Sequence, residues 1–333
     1  MRPEANWFGR WEEPAEIKRA VAGYIEDVNH GNKTVLAQLS DFSLSPWEGN
    51  LCDTAETPAL VSAYHQWNSG FAAGIGAARA LVVMQPDLPE AHNTCLSSAT
   101  RSTFLQELAW ATEKLNSLPH TTVYLDAGSS DWLSVGNVTS LLVQSGIKWA
   151  RGFSLDATHH ASTQSEIAYG RDVVKALAKR GYANKHFIID TAENGSPFTN
   201  KQLQAAGGPA NVPACTTPRH PAVCQTFGIP PTWQVGLPQW KLGQPYGALA
   251  DKYVDGYVWF GRPWLYGQSS QFDCQLVEQM ARSTPFPYPD GVSTGEQSSP
   301  LFVGPGAARS NSISVTAAHG LPANPYCPAT SLG

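Results

Sequence analysis

Two periods of hydrophobic spacing alternate along this chain. Short uninterrupted apolar runs at residues 80–84, 122–125 and 186–189 predict strands buried on both faces, and residues 6–11, 34–39, 149–155 and 257–260 predict four more. Between them the spacing turns helical. Ile17, Ala20, Val21, Tyr24, Ile25 and Val28 mark a helix over 14–30, and Leu60, Val61, Tyr64, Trp67 and Phe71 mark one over 58–74. Further helices are predicted at 101–116, 137–146, 166–181 and 275–283. Strands and helices in strict alternation imply an α/β fold on a parallel sheet.

Three strands end on a carboxylate: Asp87 after Gln85-Pro86, Asp126 before Ala127-Gly128, and Asp190 before Thr191. The C-terminal lip of a parallel sheet is where active sites form. One such Asp alone is more often a helix N-cap, but three on a single rim, with tryptophans nearby, point to a site. Gly74-Ile75-Gly76 half-resembles a dinucleotide loop, yet it follows a helix and precedes a strand, the wrong order for that use. No Gly-x-Ser-x-Gly elbow supports a serine hydrolase.

Composition narrows the partners. With 22 basic and 27 acidic residues the net charge is -5, and no basic stripe appears, so neither nucleic acid nor an anionic membrane is an expected partner. No apolar run is long enough to span a bilayer. Eleven Trp and eleven Tyr are many for 333 residues; their faces suit the apolar faces of sugar rings, and they equally suit a large core. Cys52, Cys95, Cys215, Cys224, Cys274 and Cys327 are widely spaced and form no metal pattern, which suggests a secreted, disulfide-bonded protein. Adjacent His159 and His160 lack a third spaced ligand, so neither metal nor cofactor is expected. The chain divides into residues 1–287 as one domain and a Pro/Gly/Ser-rich extension, 288–333, draped on it.

Specific motifs carry a resemblance. Tyr64-His65-Gln66-Trp67, Gly70 to Gly76, Leu81 to Asp87, Val123 to Gly128 with Trp132, Ala150 to Leu155, Phe187 to Thr191 with Asn194-Gly195, Gly228 to Thr232 and Asp255 to Trp259 occur in the order found in the bacterial branch of glycoside hydrolase family 6. The chain resembles these cellobiohydrolases and endo-1,4-β-glucanases over roughly residues 7 to 286. The resemblance implies a distorted, incomplete (β/α) barrel of about seven parallel strands. It implies hydrolysis of β-1,4-glucan with inversion, by an endoglucanase; the alternatives are a cellobiohydrolase with a partly roofed cleft, or a glucan-binding protein that has lost its base. A secreted monomer without cofactor is the corresponding expectation.

Residue by residue, the resemblance makes Asp87 the general acid, with Asp126 and Asp41 as carboxylates that raise its pKa. Asp41 substitutes for an Arg-Asp-Cys turn that this chain lacks, with Asp53 behind it. Trp7 and Trp132 fall at stacking positions on opposite sides of the scissile bond, with exposed ring faces expected. Ser129, Asp156, His159, Trp233, Trp259, Trp264 and Arg262 are the further substrate-binding candidates. The family's Lys-Arg-Pro-Gly-Glu-Ser-Asp-Gly reads Gly261-Arg262-Pro263-Trp264-Leu265-Tyr266-Gly267 here, so its candidate base is missing. Asp273, or a water chain toward Asp41, is left to take the proton. Cys52 is expected to bridge to Cys95, while Cys215 and Cys224 pair with each other or reach Cys274.

Overall fold

The computed structural model describes residues 5–44, 57–92, 95–208, 212–216, 222–265 and 272–286. Seven parallel strands form one sheet in sequential order: β1 (Asn6–Gly9), β2 (Ala37–Phe42), β3 (Ala80–Met84), β4 (Thr121–Asp126), β5 (Gly152–Leu155), β6 (His186–Asp190) and β7 (Val254–Val258). The sheet curls into an incomplete barrel. Its two edges do not pair as strands; Ala5 N donates to Trp259 O (3.0 Å), and Thr232 bridges Tyr257 antiparallel along the free side of β7.

Helices α1 (Ile17–Asn29), α2 (Pro58–Ile75), α3 (Ser98–Asn116), α4 (Val135–Gln144) and α5 (Thr163–Lys179) connect successive strands. Side-chain caps set where four of them begin: Thr57, Ser97, Ser134 and Ser162 each accept from a backbone N–H of the first turn. That is why α3 starts at Ser98 rather than at 101. The long stretch before β7 holds the short helix α6 (Asn200–Ala205), then α7 (Tyr246–Tyr253); α8 (Cys274–Ser283) ends the described chain. Helix α7 has no sequence signature because only Ala250 is buried along it. Strand β7 begins ahead of the expected run because Asp255 and Gly256 interrupt its apolar pattern.

Register assigns each strand residue to the interior or to the helix side. Trp7, Ser40, Val83 and Tyr124 share one row, and Phe8, Asp41, Met84 and Leu125 share the next. The first row faces inward, where Leu81, Val83, Tyr124, Ile188, Val258 and Phe260 fill the barrel. Phe8, Met84 and Leu125 of the second pack outward in the main core with Phe71 and Phe104. Below the interior layer, Asp255 accepts from Tyr124 Oη (2.8 Å) and from Arg151 Nε and Nη2 (2.8 Å each), with His186 Nδ1 at 3.2 Å. This polar knot ties β7 to β4 across the barrel.

Cys215 and Cys224 form a disulfide with Cα atoms 4.9 Å apart, so Cys215 and Cys224 pair with each other. Cys95 and Cys274 are also disulfide-bonded, to partners outside the described residues. Cys52, Cys327, Asp53 and the 288–333 extension lie outside them too. Among the described residues no helix is long and apolar enough to cross a membrane.

Candidate active site

The upper rim of the interior gathers the ends of β3, β4, β6 and β7. After Met84 the chain turns sharply: Gln85 and Asp87 both take left-handed backbone conformations (φ 52° and 64°) around Pro86. Such conformations cost energy in non-glycine residues and persist where surroundings hold them. Here Gln85 N donates to Asp41 O (2.7 Å), Gln85 Oε1 accepts from Leu44 N (3.1 Å), and the backbone N–H of Asp87 donates to the Asp126 carboxylate.

Asp87 is thus presented at the lip, half-buried. Burial pushes its carboxyl up to about 6, the negative charge of Glu90 pushes the same way, and the Arg262 guanidinium pulls it down. Asp126 lies fully buried beside it. Its Oδ1 accepts from Ser154 Oγ (3.0 Å) and its Oδ2 from Gly128 N (3.1 Å), while burial and the neighbouring Asp87 raise it well above the usual carboxylate range. Two adjacent acids with burial acting on both keep at least one proton between them near neutrality.

Arg262 links the two edges of the barrel. Its guanidinium lies 4.0 Å over the Trp7 ring, whose Nε1 donates to Phe260 O (2.8 Å) and whose flank meets Phe42 at 5.5 Å. Trp7 is only 7% exposed, so the expected open ring face is covered. Asp190 positions this exit from β7 by accepting from Phe260 N (3.1 Å) and from Gly261 N. Burial raises Asp190 to about 8. A side chain at Gly261 would run into Glu193 Oε1, 2.5 Å from where its Cβ would stand.

On the opposite side Trp132 is half-buried, with His159 tilted against it at a centroid distance of 5.0 Å. Burial, then the adjacent His160, hold His159 down at about 4, so it is neutral at ordinary pH. No protein group among the described residues hydrogen-bonds His159 Nε2.

Several sequence candidates are placed elsewhere. Asp41 points to the helix side of β2, where its Oδ1 accepts from Ser43 Oγ (2.6 Å) and Ser43 N (3.1 Å), and Ser43 Oγ accepts from Asn68 of α2 (3.1 Å). Asp273 caps α8, accepting from Leu276 N (3.0 Å). Trp259 stacks on Phe227 and, with Trp264, belongs to a buried apolar cluster that includes Met280 of α8. Ser129 is fully buried, its hydroxyl 2.9 Å from Asp131 Oδ1 and 3.3 Å from Glu166 Oε1. Asp156 is fully buried as well, accepting from Ala161 N (3.0 Å) and Asn194 Nδ2 (3.1 Å); it shapes the loop that carries His159. Trp233 is exposed beside the free side of β7.

Sequence reasoning missed Glu90, three residues past Asp87 on a 3-10 turn (Leu88–His92), and Glu166, whose Oε1 accepts from Ser130 N (2.9 Å). The i, i+3 spacing of Asp87 and Glu90 was the available signal for the first. Among the described residues no three or more His, Cys, Asp or Glu side chains are placed to hold a metal ion.

The model of glycosyl hydrolases family 6 matches residues 1–263. Endoglucanase 1 of Streptomyces halstedii is 30% identical over 216 residues, 64% of this chain and 65% of that protein. Endoglucanase A of Cellulomonas fimi is 29% identical over 197 residues, 59% of this chain and 40% of that protein. The chain therefore spans less than two thirds of the length of these relatives. Among solved structures, the endoglucanase Cel6 from Mycobacterium tuberculosis superposes with a TM-score of 0.63 at 23% identity, over 83% of this chain and 86% of that one. Cellobiohydrolase II (Cel6A) from Humicola insolens gives 0.62 at 17% identity, over 86% and 88%. At these identities the superpositions establish the shared barrel.

Proposed function

The chain belongs to glycosyl hydrolase family 6, and from that premise we propose that it hydrolyses internal β-1,4-glucosidic bonds of cellulose or a related glucan with inversion, as an exported endoglucanase. The observation that carries this reading is Asp87, a carboxyl raised to about 6 at the rim of the barrel and held there by a strained turn. A glucosyl leaving group departs as a poor alkoxide unless protonated, so inverting hydrolysis needs a carboxylic acid of this kind at the glycosidic oxygen. Asp126 supports it by accepting the backbone N–H of Asp87 and so fixing the turn. Trp132 and His159 suit the leaving-group sugar, the ring by stacking and the neutral Nε2 by hydrogen bonding a hydroxyl.

Two findings favour a second reading, a glucan-binding protein without turnover. The family's candidate base position holds Gly267, and Asp273 and Asp41, the carboxylates weighed in its place, are engaged in a helix cap and on the helix side of β2.

One experiment separates the readings. The enzyme should cut the viscosity of carboxymethyl cellulose sharply and release the α-anomer first from soluble cello-oligosaccharides, as followed by proton NMR. Asp87→Asn should lower turnover by about 10²–10⁴-fold, the usual contribution of general acid catalysis, with oligosaccharide binding retained. Binding without any release of sugar by the wild-type chain would establish the second reading. Cellulose hydrolysis by Asp87→Asn at the wild-type rate would remove Asp87 from the mechanism.

A further inference from the structure

Beyond the ends of β5 and β6 stands a histidine–carboxylate pair. His160 Nε2 lies 3.4 Å from Glu193 Oε2, and the two side chains are 10% and 1% exposed. Phe198 steadies the imidazole: the two rings stack at 4.3 Å and 21°, and Phe198 N donates to His160 O (2.9 Å). Glu193 is therefore the enclosed member of the pair and His160 the one with an open edge. Nε2 is the buried nitrogen of the ring, which leaves Nδ1 for that edge.

The other oxygen of Glu193 reaches the next wall of the mouth. Oε1 stands 2.5 Å from where a Cβ of Gly261 would be, with Asp190 Oδ2 3.2 Å from the same point. Where the family pattern has a lysine, glycine leaves the space to this carboxylate. The following residue, Arg262, carries the guanidinium that acts on Asp87. Asp87 follows β3 and Glu193 follows β6, three strands on in a sequential sheet. Three strand spacings make about 14 Å along the sheet, and less across its curled mouth. An inverting hydrolase sets its acid and base roughly 6.5–9.5 Å apart so that a water fits between them and the sugar.

We propose that His160, oriented by Glu193, takes the proton of the attacking water. The inference rests on the hydrolytic reading above and departs from the family pattern: the acceptor is an imidazole from the loop after β5, not a carboxylate after β7. Glu193 Oε2 accepts Nε2–H, which leaves the Nδ1 lone pair to receive a proton. As the glycosidic bond breaks, the water oxygen bonds to the anomeric carbon, the water proton passes to Nδ1, and Asp87 gives its proton to the leaving oxygen. One water is consumed; His160 afterwards releases its proton to solvent and Asp87 regains one. Catalytic hydrogen bonds are commonly as long as 3.4 Å before substrate binds, and a carboxylate behind the ring stabilises the imidazolium that forms.

Hydrolysis of cellohexaose by the intact chain, with and without sodium azide, tests the assignment. His160→Ala should lower kcat by about 10²–10⁴-fold while isothermal titration shows cellohexaose affinity retained. Glu193→Gln keeps the shape of the site, but its amide can donate to Nε2 and so place the ring proton on Nδ1; kcat should fall by at least about tenfold. Azide attacks without giving up a proton and needs no base. It should therefore restore turnover in both variants and yield the α-glycosyl azide, identified by mass and proton NMR, which a merely structural role for the pair would not produce. Wild-type kcat in His160→Ala, or folded, binding-competent variants that azide does not rescue, would overturn the role of the pair while leaving the hydrolytic reading intact. Absence of hydrolysis by the wild-type chain would remove both.

Discussion

At the scale of single residues the decisive contacts are those that set the proton on Asp87. Burial raises it first, Glu90 adds to the rise, and Arg262 opposes both. A general acid works only while protonated, so the alkaline limb of kcat/KM should follow Asp87 and fall as pH climbs through about 6. Glu90→Gln removes a charge that raises Asp87, so the limb should move to lower pH; Arg262→Met removes one that lowers it, so the limb should move to higher pH. Limbs unmoved in both variants would show that another group titrates. The placement of Asp87 at the rim was legible in the sequence because the strand, Gln85-Pro86 and the carboxylate form one contiguous signal. Asp41 was misplaced for a reason equally simple: strand neighbours face opposite sides, and one residue of register sends its carboxylate to Ser43, itself held by Asn68, rather than to the rim. Trp259 and Trp264 show the same limit, since an aromatic letter does not say which face it covers.

At the scale of elements, the order of strands and helices was readable because short uninterrupted apolar runs alternate with stretches of 3.6-residue spacing, and most boundary differences trace to caps such as Ser97. What the pattern did not show is the contact that holds the barrel's far side. Asp255 joins β7 to Tyr124 of β4, to Arg151 before β5 and to His186 of β6, partners 131, 104 and 69 residues away in sequence (255 − 124, 255 − 151 and 255 − 186). Burial disfavours the Asp255 charge, but hydrogen bonds from His186, Arg151 and Tyr124 outweigh it and hold the group down at about 2. A folded pKa below the unfolded 3.8 gives stability that is complete above about pH 4 and lost as pH falls through about 2. The shift corresponds to about 2 kcal/mol. Asp255→Asn should therefore be less stable than wild type by about that amount at pH 6 in urea unfolding, and the gap should narrow as the buffer approaches pH 2. A gap that does not change with pH would mean that packing, and not the charge, accounts for the loss.

At the scale of the molecule, the rim and its surroundings concentrate carboxyl groups shifted opposite to Asp255. Burial raises Asp41 and Glu166 to about 7 and Asp190 to about 8, and raises Asp126 and Asp156 well above their ordinary range. Each holds a proton in the folded chain that the unfolded chain releases near pH 4, so from pH 4 upward the folded state binds more protons and stability falls as pH rises toward 8. His159 acts in reverse: its folded value of about 4 lies below 6.5, so it favours folding increasingly as pH rises between the two. One histidine opposes these five carboxyls together with Asp87, raised to about 6, and the carboxyls prevail. Below pH 4 the sign changes, because Asp255 then dominates. Thermal unfolding followed by circular dichroism should accordingly give a melting temperature that peaks in weakly acidic buffer, near pH 4 to 5, and declines toward pH 8. If Asp87 is the general acid proposed above, the burial that raises these carboxyls also keeps its proton in place, so activity and stability should fade together as pH rises. A melting temperature that climbs steadily from pH 5 to pH 8 would mean that the rim carboxyls ionise in the folded protein, and the acid assigned to Asp87 would then have no environment to hold its proton.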